Sequence, residues 1–198
     1  MSRIVNSIPL LYLIMLWPGR YTVLGLVEDW YYPQMMYDTG VWSVRLLIVT
    51  IAVSPTLLLI NRLGRGRAFG IWLLKRRRHF GLGSFIYATL HLAHYVLETA
   101  DLPTMLIDVV LLEYLVGWIA FVVFAALAIT SNDWSTRRMG TNWKRLHYLV
   151  YPGAALTFFH WYLFDFLTER VLFWIGVFVG VKALHSVVRW LPRLRGSV

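Results

Sequence analysis

The residues of this chain best suited to chemistry are its six histidines, His79, His91, His94, His147, His160 and His185. It has no cysteine, which excludes disulfides, thiolate-bound zinc, iron–sulfur clusters, covalent haem attachment of the c type and thiol nucleophiles. A metal would have to be taken by imidazole, methionine sulfur or oxygen. Neutral imidazole is a good iron ligand, and two of them on one haem iron favour electron transfer over oxygen activation. His91, His94 and His160 lie inside long apolar runs. Ionisable groups are costly in a bilayer, so they usually face the interior of a bundle and mark function.

The elements that must position them are membrane helices. Charged residues make up 15% of the 198 positions and hydrophobic ones 59%, with a mean hydropathy of +0.61. A soluble domain has about 25% charged residues, so this chain lacks the polar surface to cover a globule. A span takes about 20 apolar residues, and six candidates fit: 4–27, 41–60, 80–97, 109–130, 146–164 and 171–190. The expectation is an all-α integral membrane six-helix bundle forming a single domain over 1–198. Pro9 and Pro18 make the first segment the shortest run; Pro-Gly-Arg follows Trp17 instead of a small-residue cleavage site, so it is expected to stay as a kinked helix.

Charge sets the orientation. Of the 19 Lys and Arg, all but Arg20, Arg45 and Arg170 fall at the N-terminus, in the loops after the second and fourth spans, or around the end of the sixth. The positive-inside rule then makes both termini cytoplasmic. Nine of the ten acidic residues lie on the opposite side, Asp133 being the exception. This partition accounts for the net charge of +9 without nucleic acid, and a basic inner face also attracts anionic lipid. Trp30, Tyr31, Tyr32, Tyr37 and Trp42 read as an interfacial aromatic belt. No internal repeat stands out, and Gly64-Arg65-Gly66-Arg67 reads as a flexible basic loop.

Counting along the spans puts the histidines at two depths. At about 1.5 Å per residue, His91 and His160 both lie about 20 Å from the inner ends of their helices, while His79, His147 and His185 share an inner level. Two such layers suit two stacked haems clamped between facing helices. The thirteen residues from His147 to His160 leave a straight helix about 140° out of phase, so a bend at Pro152-Gly153 is expected to realign them. Gly81, Gly83, Ala88, Ala93, Gly153, Ala154 and Ala155 either make room for porphyrin planes or let helices pack closely. His94, three residues after His91 and so on a neighbouring face, either donates to a ligand or is itself a further cofactor-binding candidate, and His79, His147 and His185 could each simply meet interfacial water. A His/Asp proton relay is the main competing use of His91 and His160.

Local strings add a resemblance. Arg77-Arg78-His79-Phe80-Gly81-Leu82, then Ala88-Thr89-Leu90-His91 and Tyr95, resemble the third helix of the MsrQ family. Gly140, Trp143, Leu146-His147, Val150-Tyr151 and His160 are similar to its fifth, and Ser54-Pro55 and Thr130-Ser131 to the ends of its second and fourth. The resemblance covers about residues 40–165. Either string alone would indicate only the wider ferric reductase and NADPH oxidase membrane-domain superfamily.

The resemblance implies a b-type cytochrome of the bacterial inner membrane. Such a subunit passes electrons to a periplasmic molybdopterin reductase that repairs methionine sulfoxide in proteins. It places haem b, one or two per chain, on His91, His147 and His160, and leaves His79 and His185 as candidate partners of His147. It also implies electron input from a cytosolic flavin reductase or the quinone pool, with FMN as a further cofactor. No flavin or nicotinamide motif is readable, so the chain is expected to be an electron-transfer subunit. Arg77, Arg78, Lys144 and Arg145 would then either meet haem propionates or a flavin phosphate, or simply set topology. Two other classes remain open: an oxidoreductase reducing ferric ion or oxygen directly, and a haem-free transporter or scaffold.

Overall fold

The computed structural model describes residues 7–25, 32–164 and 169–190, and among them every regular element is helical. Expectations that rest on Arg3, Glu28, Asp29, Trp30, Tyr31, Asp165, Arg193 and Arg195 lie outside the described residues. The chain opens with α1 (Ile8–Leu16), a short turn at Trp17–Gly19 and α2 (Arg20–Leu24), so the first segment breaks at Pro18. The long helices α3 (Tyr32–Leu63) and α4 (Arg67–Thr99) follow. Beyond them lie α5 (Leu102–Asp108), α6 (Leu112–Ile129), α7 (Asp133–Met139), α8 (Thr141–His147), α9 (Val150–Phe164) and α10 (Glu169–Trp190).

Four of these helices, α3, α4, α6 and α10, are long and apolar enough to cross a membrane. Their apolar side chains largely point outward: only 11% of the most apolar stretch of α10 is buried, and Ile129, Phe173 and Val187 are exposed. In water such surfaces would aggregate; against lipid tails they are the favourable ones.

Two differences from the sequence reading bear on the site. The stretch Lys75–Arg78 is helical, not a loop, because α4 begins at Arg67. Its 33 residues reach about 50 Å against a hydrocarbon core of about 30 Å, so its basic turns can project beyond it. The connection to α3 is correspondingly tight: Gly64 and Gly66 both have positive φ, +67° and +81°, which side chains other than glycine adopt at a cost. Second, the bend expected at Pro152-Gly153 takes the form of a break between α8 and α9 at Tyr148–Leu149. Pro152 has no N–H to give to the carbonyl four residues back, Tyr148, which instead accepts from the Tyr151 N–H at 3.2 Å. His147 and His160 therefore lie on either side of the break, and the phase of a straight helix does not apply to them.

The central helix is α3, which packs on α4 along one side and on α10 along the other, while α6 pairs with α9. Between α3 and α4, each of two serines donates to the other's backbone: Ser43 Oγ to the Ser84 carbonyl at 3.0 Å and Ser84 Oγ to the Ser43 carbonyl at 2.9 Å. The N-terminal segment is pinned by Tyr87, fully buried, whose hydroxyl donates to the Met15 carbonyl and accepts from the Gly19 N–H. Gly19 is required there, because a Cβ would run into the Tyr87 ring. Trp42 stacks on Tyr87 in this cluster and so does not belong to an interfacial belt. On the other side, Leu47 and Ile51 of α3 pack with Ala154 of α9.

Candidate functional site

A cavity of about 930 Å³ opens between α3, α4, α6 and α9, lined by both His91 and His160. That lies within the usual range for cofactor pockets, about 300–1,000 Å³. Its walls are mostly apolar and aromatic, with Phe121, Phe124 and Trp161 among them. Eight residues separate His91 from Thr99, so the pair lies about 12 Å from the acid-rich end of α4.

The two rings meet across the cavity with their centroids 6.1 Å apart and their planes at 86°. His91 Nδ1–H donates to the Met36 carbonyl at 2.8 Å, and His160 Nδ1–H to the Glu113 carbonyl at 2.6 Å. A ring whose Nδ1 donates carries its lone pair on Nε2, the tautomer a metal needs. The rings also fit an iron between them: two metal–nitrogen bonds of about 2 Å and two ring radii of about 1.1 Å give about 6 Å. Room for the imidazoles comes from glycines on the neighbouring helices. A Cβ at Gly40 would come 3.3 Å from His91 Nδ1, and one at Gly117 only 2.7 Å from His160 Nδ1 and Cε1.

The other histidines are placed differently. His147, at the end of α8, donates its Nδ1–H to the Trp143 carbonyl at 3.0 Å, and its Nε2 lies 3.3 Å from Ser131 Oγ, whose own hydrogen goes to the Leu127 carbonyl at 2.6 Å. Its ring also stacks on Trp143 at 3.8 Å. His79 Nδ1 lies 3.1 Å from the Tyr12 hydroxyl. His185 is on α10 and half-buried. Among the described residues, no ring pair joins His147 to His79 or His185, and no group of three His, Asp or Glu is spaced to hold a metal ion. His94 is fully buried but faces away from the cavity, toward the Tyr32 ring and the Thr22 backbone. Arg78 pairs with Asp133 at 2.7 Å, which holds the Asp133 carboxyl below its ordinary range. Arg77, half-buried, lies near His147.

Sequence reasoning found the outer pair but not what orients it. The Met36 and Glu113 carbonyls, Gly40 and Gly117 were not singled out, and the small residues that were mostly serve packing. Gly83 faces Leu46 and Met15, and Gly153 faces Val123 and Phe124; Ala88 alone of that set lines the cavity.

The molecule is thus a bundle of apolar, membrane-type helices around a largely apolar cavity that two imidazoles share. The family of ferric reductase-like transmembrane components matches residues 39–158, a stretch that takes in this bundle from α3 to α9. The chain is 35% identical over 159 residues to the protein-methionine-sulfoxide reductase heme-binding subunit MsrQ of Rhizobium meliloti, covering 76% of this chain and 69% of that protein. It is 37% identical over 134 residues to the same-named subunit of Xanthomonas axonopodis pv. citri, covering 66% and 58%, and 37% over 119 residues to that of Brucella ovis, covering 59% and 50%. The chain therefore belongs to the MsrQ family, within the ferric reductase-like transmembrane components. The matches span about half to two-thirds of the length of these relatives. No solved structure matches it.

Proposed function

We propose that the chain is a b-type cytochrome subunit of the bacterial inner membrane, carrying electrons outward to a periplasmic molybdopterin methionine sulfoxide reductase. The observation that carries the reading is the His91–His160 pair, 6.1 Å between centroids, with each Nδ1 tied to a backbone carbonyl. A bound haem supplies reversible one-electron transfer. The protein's part is to present two Nε2 lone pairs, hold the rings in one tautomer and wall the cavity with apolar side chains that keep water out. The relatives' names, heme-binding subunits of a protein-methionine-sulfoxide reductase, support both the cofactor and the partner.

In this reading the chain is one domain of six spans with both termini cytoplasmic, α1–α2 and α8–α9 completing the set of four long helices. The acid-rich end, with Glu98, Asp101 and Asp108, then faces the periplasm. Electrons enter at the basic end from a flavin reductase or the quinone pool. The third ligand implied by the family resemblance, His147, would serve a second haem there. For that, the Ser131 contact has to give way to iron and a partner has to come from His79 or His185. One haem per chain is what the geometry supports best.

The test is an absorption spectrum, oxidised and dithionite-reduced, of the detergent-purified protein, with pyridine-haemochromogen quantitation. Sharp low-spin b-type bands at about one haem per chain are expected from the two-imidazole geometry. His91→Ala and His160→Ala should each abolish that spectrum while the protein still inserts. A folded, colourless wild-type protein from haem-replete cells would sink the reading.

A further inference from the structure

The two cavity histidines are held by the same device on two different helix pairs. His91 of α4 donates to the carbonyl of Met36 on α3 and lies over Gly40, four residues later on that helix. His160 of α9 donates to the carbonyl of Glu113 on α6 and lies over Gly117, again four residues later. The two strings read Met36-Tyr37-Asp38-Thr39-Gly40 and Glu113-Tyr114-Leu115-Val116-Gly117, so each acceptor is followed by a tyrosine and, three residues on, a glycine.

Helix geometry explains the spacing. A helical carbonyl at position i already accepts from the N–H at i+4 and has a second lone pair to spare. Side chains lean toward the helix N-terminus, so the one at i+4 lies over that carbonyl's turn and shields it from a neighbouring helix. A glycine at i+4 uncovers it. The imidazole then approaches closer than a Cβ would comfortably allow, 3.3 Å at Gly40 and 2.7 Å at Gly117, with its Nδ1–H on the spare lone pair. Repeated from two sides, the device leaves the ring planes at 86°.

We propose that Gly40 and Gly117 are positioning residues that hold the His91 and His160 planes crossed, and that this crossing sets the electronic state of an iron clasped between them. The inference rests on the haem reading above. Parallel imidazoles both donate π density to the same iron d orbital and split the pair. Crossed imidazoles each address a different one, leaving the two nearly degenerate. Near-degeneracy in the low-spin ferric state gives a paramagnetic resonance spectrum dominated by one feature at large g, whereas parallel planes give a rhombic three-line spectrum.

The experiment is low-temperature paramagnetic resonance of the haem-loaded, oxidised full chain in detergent, comparing wild type, Gly117→Ala, Gly40→Ala and Gly176→Ala at matched haem content. The wild type should show the single large-g feature. Gly117→Ala, whose Cβ would sit 2.7 Å from the His160 ring, should lose it in favour of rhombic lines. Gly40→Ala, at 3.3 Å from His91, should shift it less. Gly176→Ala on α10, with nothing within 4 Å, should superimpose on wild type. If Gly117→Ala does not retain haem, the milder Gly40→Ala decides, and no shift there overturns the proposal. A rhombic wild-type spectrum, or variants identical to wild type, overturns it and leaves the haem reading standing. A colourless wild-type protein overturns the haem reading and this inference with it.

Discussion

An imidazole buried among apolar helices is useful as a ligand when one nitrogen is tied down and the other left open. His91 and His160 meet that condition and lie against each other; His147 also has its Nδ1 tied to a carbonyl, but among the described residues no second histidine ring lies against it. The acceptor for His160 is the backbone of Glu113, not its side chain. Glu113→Gln should therefore leave haem content and spectrum unchanged, measured by the same haemochromogen assay in which His160→Ala reads zero; a large loss would mean that the carboxylate itself takes part. A second residue-scale expectation concerns Asp133, whose carboxyl is held low by Arg78. A depressed carboxylate stabilises the fold above its ordinary pKa of about 4 and loses that contribution as pH falls through its lowered value. The pair is largely exposed, so salt screens it. The thermal midpoint of Asp133→Asn should differ from wild type by little at neutral pH and by still less at high salt.

Between elements, polar contacts do work that lipid cannot, since no hydrophobic drive separates helix from tail. The reciprocal Ser43–Ser84 bonds clasp α3 to α4 beside the cavity. Ser84→Ala should cost about 1 kcal/mol, read as a lowered midpoint in a detergent unfolding titration with haem content retained. Pro152→Ala restores an N–H that can reach the Tyr148 carbonyl and so should not lower the midpoint, while joining α8 to α9 should alter the spectrum through the changed setting of His147. These elements also show where sequence reasoning stops. The outer pair was legible because depth follows from a count of residues at a fixed rise, whatever the neighbours. The break at Tyr148–Leu149 was legible only as a bend at Pro152, because the apolar run 146–164 continues through it unaltered. The matching Tyr-x-x-Gly strings were visible too, but a glycine in a span looks the same whether it receives another helix or an imidazole. Gly153 and Gly117 are distinguished only once α9 is seen packed on α6.

For the molecule as a whole, the segregation of charge along the bundle is the feature on which the proposed orientation rests. The turn at Gly64–Gly66 and helix α7 carry arginines, Arg65, Arg67, Arg137 and Arg138, whereas α5 and its flanks carry Asp101 and Asp108. Because α4 joins the first group to the second, the two must lie at opposite ends of a helix about 50 Å long. In the proposed orientation, with lysines and arginines on the cytoplasmic side, His91 and His160 lie nearer the periplasm, where the proposed outward-directed electron would leave. The absence of native cysteine makes this testable without background. In intact cells, Thr104→Cys should react with a membrane-impermeant maleimide, while Arg65→Cys and Thr141→Cys should react only after the membrane is opened. The reverse pattern would put the paired histidines near the cytoplasm and remove the outward direction of transfer, while leaving their capacity to clasp a haem intact.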